Sequence, residues 1–178
     1  MKILYPLLVS ILLYNNCLAQ TIQDNFEGNG NITTWFGDNC AISTNLNNPH
    51  QNGINVSSKV LEYDDTGSQY ANIRFDAGRN LNIPNYSTFS IKIYVPSSSI
   101  TGTSPNQISL KLQDGNLPSP WSSQCEIIKP ILLNQWQTVT FDFALDPYLN
   151  FDASSPAPTR RADFNRVVLQ VNGENNND

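Results

Sequence analysis

The side chains able to do chemistry are few in this 178-residue chain, and they are widely spaced. His50 is the sole histidine and lies in "NNPHQNG", so a Ser-His-Asp or Cys-His system would have to be built on that loop. A lone histidine in such a loop reads as a solvent-exposed side chain. Hydrolysis of a glycosidic bond needs two carboxylates facing one sugar. The glutamates are Glu27, Glu62, Glu126 and Glu174, far apart in sequence. The densest acidic run, Glu62-Tyr63-Asp64-Asp65, reads as the end of a strand entering the Asp65-Thr66-Gly67 turn. The chain contains no HExxH helix, phosphate loop or dinucleotide fingerprint. No catalytic residue is expected, and the chain reads as a non-enzyme.

Binding chemistry is better represented. Trp35 follows the flexible "EGNGNITT" loop, Trp121 lies in "GNLPSPWSSQC", a loop with two prolines, and Trp136 opens the apparent strand "WQTVTFDF". A sugar presents apolar C–H faces and hydroxyls, which aromatic platforms and planar hydrogen-bonding side chains can hold. Trp35 and Trp121 are the expected platforms, and Trp136 is expected to pack at the strand edge. The alternative for each loop tryptophan is that it folds down over its own loop.

Two cysteines remain after the leader, Cys40 and Cys125, an even number in an oxidising compartment. A bridge between them is expected, worth about 4–5 kcal/mol by loop closure. It would bring the Trp35 and Trp121 loops to one rim. The competing reading is two buried thiols. Two cysteines and one histidine are too few for a structural zinc site.

The N-terminus supplies the compartment. Lys2, the apolar run Ile3–Tyr14 and the exit Cys17-Leu18-Ala19 make a secretory signal peptide over residues 1–19, too short to span a membrane. The rest, residues 20–178, is long enough for one domain. The location expected is secreted, periplasmic or cell-surface, without membrane insertion. Losing Lys2 takes the formal net charge from −5 to −6, which argues against nucleic acid as a partner. Only 14% of residues are charged, and the abundant Asn, Ser, Thr and Gln suit a neutral polar ligand.

The elements that must position these groups are strands. No stretch keeps a 3.6-residue period; short alternating runs recur between Gly, Pro, Asn and Asp clusters. Strands are expected at 21–27, 41–45, 60–64, 70–75, 89–95, 107–113, 125–131, 137–143 and 166–172. About nine short strands in one domain imply an all-β antiparallel sandwich, here taken as a jelly roll. Alternation sends Ile73, Phe75, Phe89, Ile91, Ile93 and Val95 inward, with Ile108, Leu110, Leu112, Val139, Phe141, Phe143, Val167, Leu169 and Val171. The opposite positions carry Tyr70, Asn72, Arg74, Ser90, Lys92, Tyr94, Ser109, Lys111, Gln113, Thr138, Thr140, Arg166 and Gln170, read together as one polar sheet face. From these positions Tyr70, Arg74 and Lys92, together with Glu126, are taken as the polar partners of a bound glycan.

The order "DNFEGNGNITTWFGD", "NPHQNGINVSSKVLEY", "FSIKIYVP", "ISLKLQD", "WQTVTFDF" and "FNRVVLQVN" resembles a carbohydrate-binding-module-like, galactose-binding-like β-sandwich of secreted Bacteroidetes-type glycan-degrading proteins. The resemblance covers nearly the whole chain after the leader. It implies non-catalytic recognition of a neutral polysaccharide or oligosaccharide. It also implies a structural calcium, with Glu27 as a ligand and backbone oxygens near Gly28 and Ser58-Lys59 beside it. Such modules end on a further strand bearing an Asp-Asp pair, whereas "VNGENNND" reaches Asp178 without one. The expectation is therefore a sandwich short of its final strand, with its C-terminus truncated. The leading reading is a secreted glycan-binding domain. Its rivals are an N-terminal accessory module of a longer, laminarinase-like glycoside hydrolase, and a structural or adhesive surface domain.

Overall fold

The computed structural model describes residues 22–66, 69–100, 102–103 and 105–173. The expected leader at 1–19, Gly67 of the turn and Glu174 lie outside the described residues. The rest is all-β. The strands are β1 (Phe36–Asp38), β2 (Cys40–Asn47), β3 (Lys59–Asp65), β4 (Asn72–Asp76), β5 (Thr88–Ile93), β6 (Gln107–Gln113), β7 (Cys125–Pro130), β8 (Gln137–Asp142), β9 (Leu149–Asn150) and β10 (Arg166–Val171). Every pairing between them is antiparallel.

One sheet has six strands in the order β1-β4-β10-β6-β7-β9; β2-β3 and β5-β8 form two separate ladders. This arrangement is consistent with a β-sandwich. Pairing establishes that class rather than a jelly-roll order, because the two ladders do not join into one continuous second sheet.

The period-two alternation builds the core. Ile73 and Phe75 of β4, Ile108, Leu110 and Leu112 of β6, and Val167 and Leu169 of β10 are buried together with Val139 and Phe141 of β8 and Phe143 just beyond it. Phe89, Ile91 and Ile93 of β5, with Val95 and Val171, pack against them half-buried. Because successive side chains alternate, the same strands send their other residues to the opposite face of the six-stranded sheet.

Several expectations change. No strand forms over 22–27, where Asp24 instead folds the chain locally and accepts the Phe26 backbone N–H at 2.8 Å. Phe26 sits at φ 62, a left-handed conformation that no strand tolerates. The chain becomes extended only at β1, and Asn39 at φ 58 then turns it out of the sheet into β2. Asparagine is among the few residues that adopt this conformation readily.

The expected bridge is absent: Cys40 and Cys125 are both free thiols. Cys40 donates from Sγ to the Asn72 carbonyl on β4 at 3.2 Å, whereas Cys125 belongs to β7. Three strand spacings separate β4 from β7, about 14 Å, and a disulfide needs its Cα atoms within about 7 Å. Burial pushes the Cys40 thiol up to about 11 and the Cys125 thiol up to about 12, with the Asp38 and Asp65 charges adding to the first and the Glu126 charge adding to the second against the lowering effect of Arg161. Neither is poised as a nucleophile.

The single polar face expected from alternation divides in two. Asn72, Arg74, Ser109, Lys111, Gln113, Arg166 and Gln170 belong to the six-stranded sheet, whereas Ser90, Lys92, Thr138 and Thr140 belong to the β5-β8 ladder.

Candidate functional site

The outer face of the six-stranded sheet gathers the largest set of expected site residues. Its register brings Phe36 opposite Arg74, Arg74 opposite Val168, Val168 opposite Lys111, Lys111 opposite Glu126 and Glu126 opposite Leu149. Directly paired residues share a face, so these six side chains form one row across the whole sheet. A neighbouring row holds Asp38 opposite Asn72 and Gln170 opposite Ser109, and a third holds Asp76 opposite Arg166 and Arg166 opposite Gln113.

Charge on this face is matched internally. The Arg74 Nε donates to Asp38 Oδ2 at 2.7 Å, and Arg166 meets Asp76 through Nε at 2.6 Å and Nη2 at 3.2 Å. Lys111 Nζ donates to Gln170 Oε1 and lies 3.8 Å from Glu126 Oε1. Gln113 Nε2 donates to Gln124 Oε1 at 3.0 Å, and Gln124 Nε2 reaches Glu126 Oε2 at 3.4 Å. Among the described residues, three cations of this face therefore meet three carboxylates, which favours neither sign of ligand charge.

The middle of the face is closed and its rims are open. Lys111 is 3% exposed, Gln170 1% and Ser109 5%. Beyond them stand Trp121 at 54% and Phe151 at 60% exposure on the β7-β9 side. Some hydrogen-bonding capacity in the middle is unused: among the described residues, Asn72 Oδ1, Ser109 Oγ and Gln170 Nε2 are buried without a partner. Buried polar atoms are nearly always paired, so three on neighbouring central strands form an unusual local concentration.

Trp121 owes its position to its loop. Asp114 and Ser123 close it, the Asp114 N–H donating to Ser123 Oγ at 2.8 Å. Pro120 starts the 3-10 turn Pro120–Ser123 with its φ already set. The nearly buried Arg161 fixes the far end, donating from Nη1 to the Ser123 carbonyl at 2.6 Å while ion-paired to Asp163 and stacked on Phe164. The indole then leans edge-on against Phe151 at 5.1 Å. Phe151 is held in turn by its own N–H, which donates to the Gln124 carbonyl at 2.9 Å.

The three tryptophans differ in what their N–H groups find. Trp35 donates to Asp24 Oδ2 at 2.9 Å, and Trp136 donates to the His50 carbonyl at 2.6 Å. Among the described residues, the Trp121 indole N–H has no protein partner, and its ring is the most exposed of the three.

Of the expected site residues, the structure brings Arg74, Glu126 and Trp121 to this face. Tyr70 stands half exposed at the head of β4, its carbonyl accepting from Asn72 Nδ2. Trp35 is not on the face. It precedes Phe36 in the chain, so it points to the core side, lying 5.1 Å from Phe75 and 5.8 Å from Phe26. Lys92 is on the β5-β8 ladder and donates to the Ile54 carbonyl at 2.6 Å. With no bridge between Cys40 and Cys125, nothing ties the Trp35 and Trp121 loops to a common rim. His50 is half-buried rather than solvent-exposed, its ring stacked on Tyr94 at 3.9 Å. Phe36, Phe151, Lys111, Gln113 and Gln170 join the face although sequence reasoning did not select them. The alternation on β6 and β10 already set Lys111, Gln113 and Gln170 opposite the core, and only strand order could have joined them to Glu126.

Glu27 does meet Ser58 and Lys59, the segment paired with it at sequence level. Its carboxylate accepts the Ser58 and Lys59 backbone N–H groups, at 2.5 and 3.0 Å, and the Ser58 hydroxyl. The Lys59 N–H, with the Ser58 hydroxyl, holds its carboxyl below the usual range. A calcium ion needs oxygens around it, whereas the groups facing this carboxylate are donors. Among the described residues, no helix is long and apolar enough to cross a membrane. Comparison with family models, curated proteins and solved structures finds no match to the chain.

Proposed function

We propose that this protein is a secreted, non-catalytic glycan-binding domain that holds a neutral polysaccharide against the outer face of its six-stranded sheet. The observation that carries the reading is Trp121: an exposed indole whose N–H has no partner among the described residues, set beside hydrogen-bonding side chains whose charges are matched. An indole can stack on the apolar face of a pyranose while its N–H donates to a hydroxyl. The open rim beside the indole carries Gln124 and Glu126, an amide and a carboxylate of the kind that sugar hydroxyls can meet.

Affinity electrophoresis through gels containing different soluble glycans tests the reading. The wild-type chain should be retarded by at least one of them, and Trp121→Ala should lose about 1–3 kcal/mol of binding, the scale of an aromatic hot spot. Unchanged retardation of Trp121→Ala would contradict the reading.

A second reading, an adhesive surface that binds another protein, draws on the exposed Leu149 and Phe151 near Trp121. Apolar side chains there flank the polar face and do not replace it, which is why the glycan reading is preferred.

A further inference from the structure

Resting on the glycan-binding reading, we infer that the face takes an extended chain laid across the strands. The chain is gripped at two separated aromatic stations, Phe36 on β1 and the Trp121–Phe151 pair at the opposite edge.

The first station has the marks of a fixed platform. Phe36 is 37% exposed although it lies in a strand, and the Arg74 guanidinium sits 4.4 Å from its ring centroid. Asp38 holds that guanidinium in turn, so the ring is backed by a clamped cation and keeps part of its surface open. A cation over one face leaves the other for an apolar contact. The second station is the Trp121–Phe151 pair already described.

The distance between them follows from strand order. From β1 to β7 are four spacings, β1-β4-β10-β6-β7, which is roughly 19 Å at the usual strand separation. The side chains lying between, Val168 and Lys111, are buried, while those at both ends are exposed. A single pyranose ring spans about one strand spacing. A monosaccharide or disaccharide can therefore touch one station only, and a chain of about four rings or more is needed to touch both. β1 and β9 are the two edge strands of the sheet, so a longer chain can run off either side. The geometry thus points to recognition of chain interiors, gripped at the two rims rather than at the closed middle of the face.

The test uses calorimetric titration with linear β-linked oligosaccharides of glucose, mannose, galactose and xylose, each from disaccharide to hexasaccharide. In the series that binds, wild-type affinity should rise about tenfold or more between disaccharide and hexasaccharide. Phe36→Ala should remove most of that rise, weakening the hexasaccharide far more than the disaccharide. Trp121→Ala should weaken both ligands. Phe36→Leu, which keeps an apolar side chain but not the ring, should reproduce the Phe36→Ala pattern with an unaltered melting temperature; this separates stacking from folding. Disaccharide affinity equal to hexasaccharide affinity overturns the two-station inference and leaves glycan binding standing. So does a Phe36 variant that weakens both ligands equally. Failure of every oligosaccharide to bind overturns the glycan reading itself, and this inference with it.

Discussion

The Trp35 indole donates to Asp24 and lies edge-on to Phe75, so it belongs to the packing of the N-terminal segment against the core. Trp121 leans edge-on against Phe151, and half its surface is in water. Truncation should separate the two roles. Trp35→Ala should lower stability by about 3 kcal/mol, the lower end for a large aromatic leaving a cavity, with affinity per folded molecule unchanged. Trp121→Ala should leave the melting temperature within about 1 °C of wild type, as surface substitutions do, while binding weakens. Melting temperature and affinity measured on the same two samples check this, and a stable Trp35→Ala would show that its indole is not part of the packing. Sequence alone could not rank the two tryptophans. Both follow loop-like stretches, and what distinguishes them is Phe75, Phe26 and Asp24 on one side and water on the other.

At the scale of elements, alternation on β6 makes adjacent residues opposite in kind. Leu110 faces the core, and its truncation to alanine should cost about 2–5 kcal/mol. Ser109 faces outward with a buried hydroxyl that has no partner, so Ser109→Ala removes an uncompensated group. It should be neutral or stabilising, by no more than about 1 kcal/mol. Denaturant midpoints of the two variants test this, and a marked loss of stability in Ser109→Ala would show that the hydroxyl is structurally engaged.

Loops are tied to the strands by carboxylates whose pKa values are lowered in the fold. Donors from Lys59 and Ser58 lower Glu27, Ser87 and the Ala144 N–H lower Asp142, and Lys129 lowers Asp146. A carboxyl lowered on folding contributes stability above its unfolded pKa and loses it as pH falls through the folded one. The melting temperature should therefore be flat from pH 7 to about 5 and fall below about 4. Glu27→Gln should melt lower than wild type at pH 7, and the difference should shrink in acid. A difference that persists undiminished in acid would show that charge is not what Glu27 contributes.

The limits of sequence reading also lie at this scale. Alternation located the inward residues of β4, β5, β6, β8 and β10 because burial on one face imposes a period of two. β1 and β9, of three and two residues, are too short to show a period. Yet β1 carries Phe36 and Asp38 to the face, and β9 carries Leu149. Cysteine number gave no measure of the three strand spacings that separate β4 from β7.

Across the whole molecule, the decisive information was strand order. Ser90 and Lys92 alternate as Ser109 and Lys111 do, yet they face outward from the β5-β8 ladder rather than from the six-stranded sheet. No local pattern distinguishes the two layers, because each strand reports only its own two sides. Once the order β1-β4-β10-β6-β7-β9 is known, Arg74, Lys111 and Glu126 become neighbours in a row that ends on Phe36 and Leu149, with Trp121 and Phe151 beside its β9 end. The account's central claim, that ligand is held on this face and met by Trp121, is tested most directly by the three indole N–H signals in a nitrogen–proton NMR spectrum. On titration with the glycan that retards the protein most, the Trp121 signal should move progressively to saturation, while those of Trp35 and Trp136, already bonded to Asp24 and to the His50 carbonyl, stay in place. Saturable movement of Trp35 or Trp136 with Trp121 unmoved would contradict the account.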